Sequence, residues 1–217
     1  MSNEEQAVLD FFSKEENLSL ALSVAELVDG KRQHMNNQFW RELQDQISRF
    51  LEEHQLSWSL ALTEDRNTPD CLVGLHLHPM SDQSLFLRLM MEQQTMGENL
   101  RIYYGVMWSA TPSPDKVNIP KVAKLREALL EEHFKNNENF LAWNWTSYHP
   151  RRKDFLLRYS TECNALLDEV CGLMRRLLLI HGEDINSANL ALSDVAPAIK
   201  VSLDQLRSTI SKNSLLS

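Results

Sequence analysis

His76 and His78 are two residues apart in a run that alternates like a strand, so both side chains project from the same face. That satisfies one geometric demand of a metal site, which also needs a third ligand. Asp70 and Asp82 are the acidic residues at hand, although neither stands at a recognised ligand spacing. The competing reading is a solvated strand face lying opposite Val73, Leu75 and Leu77. Cys71 precedes the same histidines, but a thiol within a strand is usually inert.

Other catalytic signatures are missing. The chain has no G-x-S-x-G, no Walker-type loop and no G-x-G-x-x-G, and its six glycines are dispersed. Backbone cradles for phosphate need clustered glycines, which argues against nucleotide hydrolysis. Asp70 follows Pro69 just before a strand, as in a nuclease core, yet the following run SLFLRLMME at 84–92 lacks the acidic-x-Lys that would complete a divalent-metal site. Pro114-Asp115 has Lys116 too close to serve, and both Pro-Asp pairs read as turns. No cofactor and no complete catalytic set is expected.

Two surfaces could instead bind. Trp143, Trp145 and Tyr148 lie just upstream of His149-Pro150-Arg151-Arg152-Lys153, and aromatics interleaved with cations can stack bases and hold phosphates. The competing reading is tryptophans alternating on a strand, with the cations flanking a helix start where positive charge is mildly unfavourable. Val195, Ile199, Leu203, Leu206 and Ile210 follow spacings of 4, 4, 3 and 4 in a tail helix. That apolar seam suits a partner protein, a second copy of the chain, or packing at home.

The composition sets the frame. A chain of 217 residues with 43% hydrophobic and 24% charged residues can bury a core without staples. A net charge of −8 argues against a general nucleic-acid coat, which needs a positive face. Cys71, Cys163 and Cys171 are odd in number and widely spaced, as expected of reduced thiols. The amino terminus lacks a secretory pattern and no run approaches eighteen apolar residues, so a cytoplasmic protein without a membrane span is expected.

The elements that must position these residues follow from periodicity. The first 55 residues predict three helices, with Asn17 capping the second and Gly30 ending it. The third carries Phe39, Leu43, Ile47, Phe50 and Leu51 as its apolar stripe. Period-two runs at 56–63, 71–79, 84–92 and 100–108, separated by turn-rich joints, predict an antiparallel meander with one buried face. A loop at 109–118, a helix from Pro120 to about 135, a strand FLAWNW at 140–145 and a long helix at 154–180 complete the body. Residues 1–181 are thus expected to form one α+β domain of about five strands, and 182–217 a linker (182–192) followed by the tail helix.

Three stretches in this order, Asn37-Gln38-Phe39-Trp40-Arg41-Glu42-Leu43, Leu100-Arg101-Ile102-Tyr103-Tyr104-Gly105-Val106 and Phe140-Leu141-Ala142-Trp143, together with the long closing helix, carry a resemblance. Over roughly residues 15–180 the chain resembles the carboxy-terminal accessory region found beside PD-(D/E)XK nuclease domains in bacterial proteins. The resemblance implies a bacterial accessory module linked to restriction or defence against foreign DNA. The nuclease motif residues are absent, so no catalytic role carries over. The expected function is a non-catalytic protein-interaction module with a protein partner. The alternative is nucleic-acid binding through Trp143, Trp145, Tyr148, Arg151, Arg152 and Lys153.

Overall fold

Strand order equals chain order. In a computed structural model that describes residues 3–62, 73–79, 86–94 and 100–195, five strands form one antiparallel sheet. They are β1 (Trp58–Leu62), β2 (Val73–Pro79), β3 (Leu87–Gln93), β4 (Ile102–Trp108) and β5 (Phe140–Trp145). Each strand hydrogen-bonds its sequence neighbour, as the period-two runs require, and the fold class is α+β.

The helices are α1 (Asn3–Phe12), α2 (Glu15–Glu53), α3 (Pro114–Val117), α4 (Pro120–Glu131), α5 (Lys153–Thr161) and α6 (Cys163–Val195). The inner sheet face carries Leu75, Leu77, Leu87, Leu89, Met91, Ile102 and Val106, all buried against α2, α4 and α6. From α2 come Phe39, Leu43 and Ile47, and from α4 come Val122, Leu125 and Leu129. Fully burying such side chains stabilises by roughly 1.5–3 kcal/mol each. Trp40 is buried beside them, and its indole N–H donates to Gln93 Oε1 at 3.1 Å, tying α2 to the end of β3.

Glu42, expected outside the apolar stripe of its helix, joins three helices. Its Oε2 accepts from the Tyr159 hydroxyl at 2.7 Å and from Cys163 Sγ at 3.2 Å, and its Oε1 accepts from Gln38 at 2.8 Å. Burial alone would raise its pKa, but these hydrogen bonds hold it below the usual carboxylate value. Cys163 and Cys171 are both free thiols.

Five expectations change. The first 55 residues hold two helices, not three, because α2 runs unbroken through Gly30. One exposed glycine costs a helix about 1 kcal/mol, too little to end one of 39 residues. Asn17 does not cap α2; its side-chain amide donates back to Phe11 O at 2.9 Å, closing α1. The helix expected at 154–180 is two helices divided at Glu162, and the second continues to Val195. Residues 182–192 are therefore helix and not linker, with Ile185, Ala188, Asn189 and Leu192 buried. The loop expected at 109–118 contains the short α3.

Beyond β5, residue 135 completes the sheet edge. Lys135 N–H donates to Trp143 O at 2.8 Å, and Trp143 N–H donates to Lys135 O at 2.7 Å.

Candidate functional site

The register settles which side chains share the outer face. His76 pairs with Met90, Met90 with Gly105, and Gly105 with Trp143; one pleat over, Gly74, Glu92, Tyr103 and Trp145 form the next row. His76, Arg88, Glu92, Tyr103, Trp143 and Trp145 therefore project from the side opposite the main core.

This face is not the solvated one expected around His76. His76, Arg88 and Glu92 are buried, as are Met90 and Met107, which pack with Tyr103 and Phe140. Every residue of β3 is buried, so its polar members are costly unless paired. The Tyr103 hydroxyl donates to Glu92 Oε2 at 2.5 Å, and His76 Nε2 stands 3.4 Å from Glu92 Oε1. Arg88 reaches Ser109 Oγ at 3.5 Å and Met107 Sδ at 3.4 Å. Burial pushes the Glu92 carboxyl up, against the pull of Tyr103 and Arg88. Burial brings Arg88 down to about 10, against the pull of Glu92, leaving it charged at neutral pH. Tyr103 is pushed well up by burial and then by Glu92, so its hydroxyl keeps its proton and donates. Glu92 Oε2 and the Tyr103 hydroxyl are hydrogen-bonded within the sheet, whereas both His76 ring nitrogens, Glu92 Oε1 and Arg88 Nε are buried without a hydrogen-bond partner.

Among the described residues no three His, Cys, Asp or Glu gather as a metal site. His78 is half-buried, with Nδ1 3.2 Å from Pro79 O. Asp70, Asp82 and Cys71 lie outside the described residues.

His76 gives the stability a pH dependence. Burial first, then the charges of Arg88 and His78, hold its imidazole well below the ordinary 6.5. As pH falls below 6.5 the unfolded chain takes up a proton that the folded chain refuses, so stability is lost toward the folded pKa. Glu92, with its raised pKa, contributes in the opposite sense: its stability is present at low pH and lost as pH rises through its folded value. His76→Met, matching Met90 across the pair, should flatten the fall in the urea midpoint between neutral pH and about 5.5, by up to about 1.4 kcal/mol per pH unit. Parallel pH profiles for the two proteins would refute this assignment.

The basic–aromatic segment divides between two sides of the sheet. Trp143 and Trp145 stay half-buried on the outer face, in edge contact with each other and with Tyr103. Tyr148 turns the other way: its hydroxyl donates to Glu169 Oε2 at 3.1 Å and its ring packs on Phe155. Arg151, Arg152 and Lys153 are exposed, and Arg152 pairs with Asp154 at 3.1 Å. The cations over the tryptophan rings come from elsewhere, Arg101 over Trp145 at 5.2 Å and Lys135 over Trp143 at 5.7 Å. Cross-strand register brings them there, which no local pattern in the sequence reveals.

Of the tail seam, Val195 is the exposed last residue of α6, and Ile199, Leu203, Leu206 and Ile210 lie outside the described residues.

Among the described residues, the largest apolar exposure lies at the other end. No residue of α1 is buried, and the first buried residue of α2 is Asn36. Residues 15–35, about 31 Å of helix at 1.5 Å per residue, therefore form an arm with α1 packed on it. Leu18, Leu20, Leu22, Val24, Leu27 and Val28 are exposed on α2, Leu27 at 74% and Leu22 at 58%, with Val8, Leu9 and Phe11 exposed on α1. At 100° per residue the apolar residues of the arm span an arc of roughly 220°, wider than one neighbouring helix covers. The width of that arc is the signal in the sequence that marks the arm.

No family model matches the chain, and no match to it is found among curated proteins or solved structures.

Proposed function

We propose that the chain is a non-catalytic protein-interaction module whose binding element is the helical arm, residues 3–35. The exposed leucine-rich arm carries this reading. Monomeric proteins seldom leave so large a contiguous apolar surface in water, and such surfaces mark protein contacts. The resemblance to the accessory region of bacterial PD-(D/E)XK proteins accords with a module that serves another polypeptide in a defence or nuclease-linked system.

A second reading rests on the aromatic outer face. Trp143, Trp145 and Tyr103, with Arg101 and Lys135 over the indoles, have the make-up of a base-stacking platform. The net charge of −8 weighs against it.

One isolation tests both. The tagged chain and its Leu20→Glu/Leu27→Glu variant are recovered at native expression level, with and without nuclease digestion. The interaction reading expects a stoichiometric polypeptide that survives digestion and is lost from the folded variant. Identical recoveries from the two proteins would sink it. Co-isolated nucleic acid, with nothing else lost in the variant, would favour the aromatic face.

A further inference from the structure

We infer that the arm pairs with the arm of a second copy of this chain, antiparallel, about a twofold axis beside Ser23 and Val24. The inference rests on the interaction reading and names its partner.

The case begins with spacing. Leu20, Val24 and Leu27 are exposed at intervals of 4 and 3, the repeat of a helix–helix seam. Reversing the helix about the bond between residues 23 and 24 places Leu20 of one copy against Leu27 of the other, twice by symmetry.

Charge selects the direction. Residues 3–29 carry seven carboxylates (Glu4, Glu5, Asp10, Glu15, Glu16, Glu26, Asp29) and one cation, Lys14. Lys31 and Arg32 then follow at the base of the arm. A parallel pair would set acid against acid. The antiparallel pair that aligns the leucines also brings Glu16 opposite Lys31, at both ends of the seam.

Reach agrees. From the axis to Asn36, where burial begins, is about 18 Å of helix, so the two bodies stand clear of each other.

Sedimentation equilibrium of the purified full chain is the test. A dimer is expected at tens of micromolar. Leu20→Glu/Leu27→Glu should be monomeric while keeping the wild-type melting temperature, because both sites are exposed. Glu16→Lys and Lys31→Glu should each raise the dimer dissociation constant roughly tenfold. The two changes combined in one chain should restore it, as only a self-pairing antiparallel seam allows. A monomeric wild type, or a dimer indifferent to the leucine changes, overturns the second copy as partner. Failure of the combined variant to recover overturns the antiparallel pairing. A monomeric wild type whose arm still retains a different polypeptide in the native isolation would leave the interaction reading standing, so the two failures are told apart.

Discussion

Gly105→Ala should destabilise the protein by about 3 kcal/mol or more, while Gly30→Ala should stabilise it by about 0.5–1 kcal/mol. Gly105 lies where β4 crosses Trp143 of β5, and a Cβ there would run into Ala142 O and come within 2.7 Å of Trp143 Cα. Both obstacles are backbone, so no rotamer change relieves them. Either β5 moves away or the β4–β5 hydrogen bonds break. Because β5 carries Trp143 and Trp145, the near-ultraviolet circular dichroism should change along with the urea midpoint. Gly30 is the internal control: it lies in the exposed helical arm, and nothing stands within 4 Å of the position its Cβ would take. There alanine lowers the entropy of the unfolded chain without meeting anything. A Gly105→Ala protein within about 0.5 kcal/mol of wild type would show that β5 does not press on β4 as described.

Asn189→Leu should cost about 4 kcal/mol, since it strands three buried backbone groups at once. Asn189 Oδ1 accepts from Phe86 N–H at 3.0 Å and from Leu87 N–H at 2.8 Å, and its Nδ2 donates to Leu87 O at 2.9 Å. The carboxamide of α6 thus serves the entrance of β3 as a neighbouring strand would. Leucine fills a similar volume but offers no donor or acceptor, so the change isolates hydrogen bonding from packing. Urea denaturation reads the total. Hydrogen exchange at the Phe86 and Leu87 amides reads the cause, and both should lose protection beyond the global decrease. Unchanged local protection alongside lost stability would move the explanation to packing.

Much of the fold was legible because the sheet has a simple period. The alternation of Leu87, Leu89 and Met91, or of Ile102, Tyr104 and Val106, identifies an inner face from one sequence. The strand FLAWNW has the bounds the sequence predicts. Gly105, alone in an aromatic strand, already signals close backbone approach. Asn189 shows where legibility ends. The polar run around it, Asp184-Ile185-Asn186-Ser187-Ala188-Asn189, has the composition of a linker. It is buried helix because its partner is the main chain of β3, about a hundred residues away in sequence. Arg88 and Glu92 likewise alternate as solvent-facing residues should, and only the register shows Glu92 meeting His76 and Tyr103 and Arg88 meeting Met107. The arm is hard to read for a related reason. An apolar helix face announces that something covers it, not whether that cover is intramolecular.

The bridge between Lys135 and Trp143 has a consequence for behaviour at high concentration. An outermost strand with unpaired amides is a template on which another chain can add, and β5, with Phe140, Trp143 and Trp145, would be an adhesive one. Here the outward N–H and C=O of Trp143 are already taken by residue 135, and that residue is a lysine lying over the indole. The main chain stops the ladder at its midpoint and a charge guards it. At this edge the protein carries its own block against fibre-like growth.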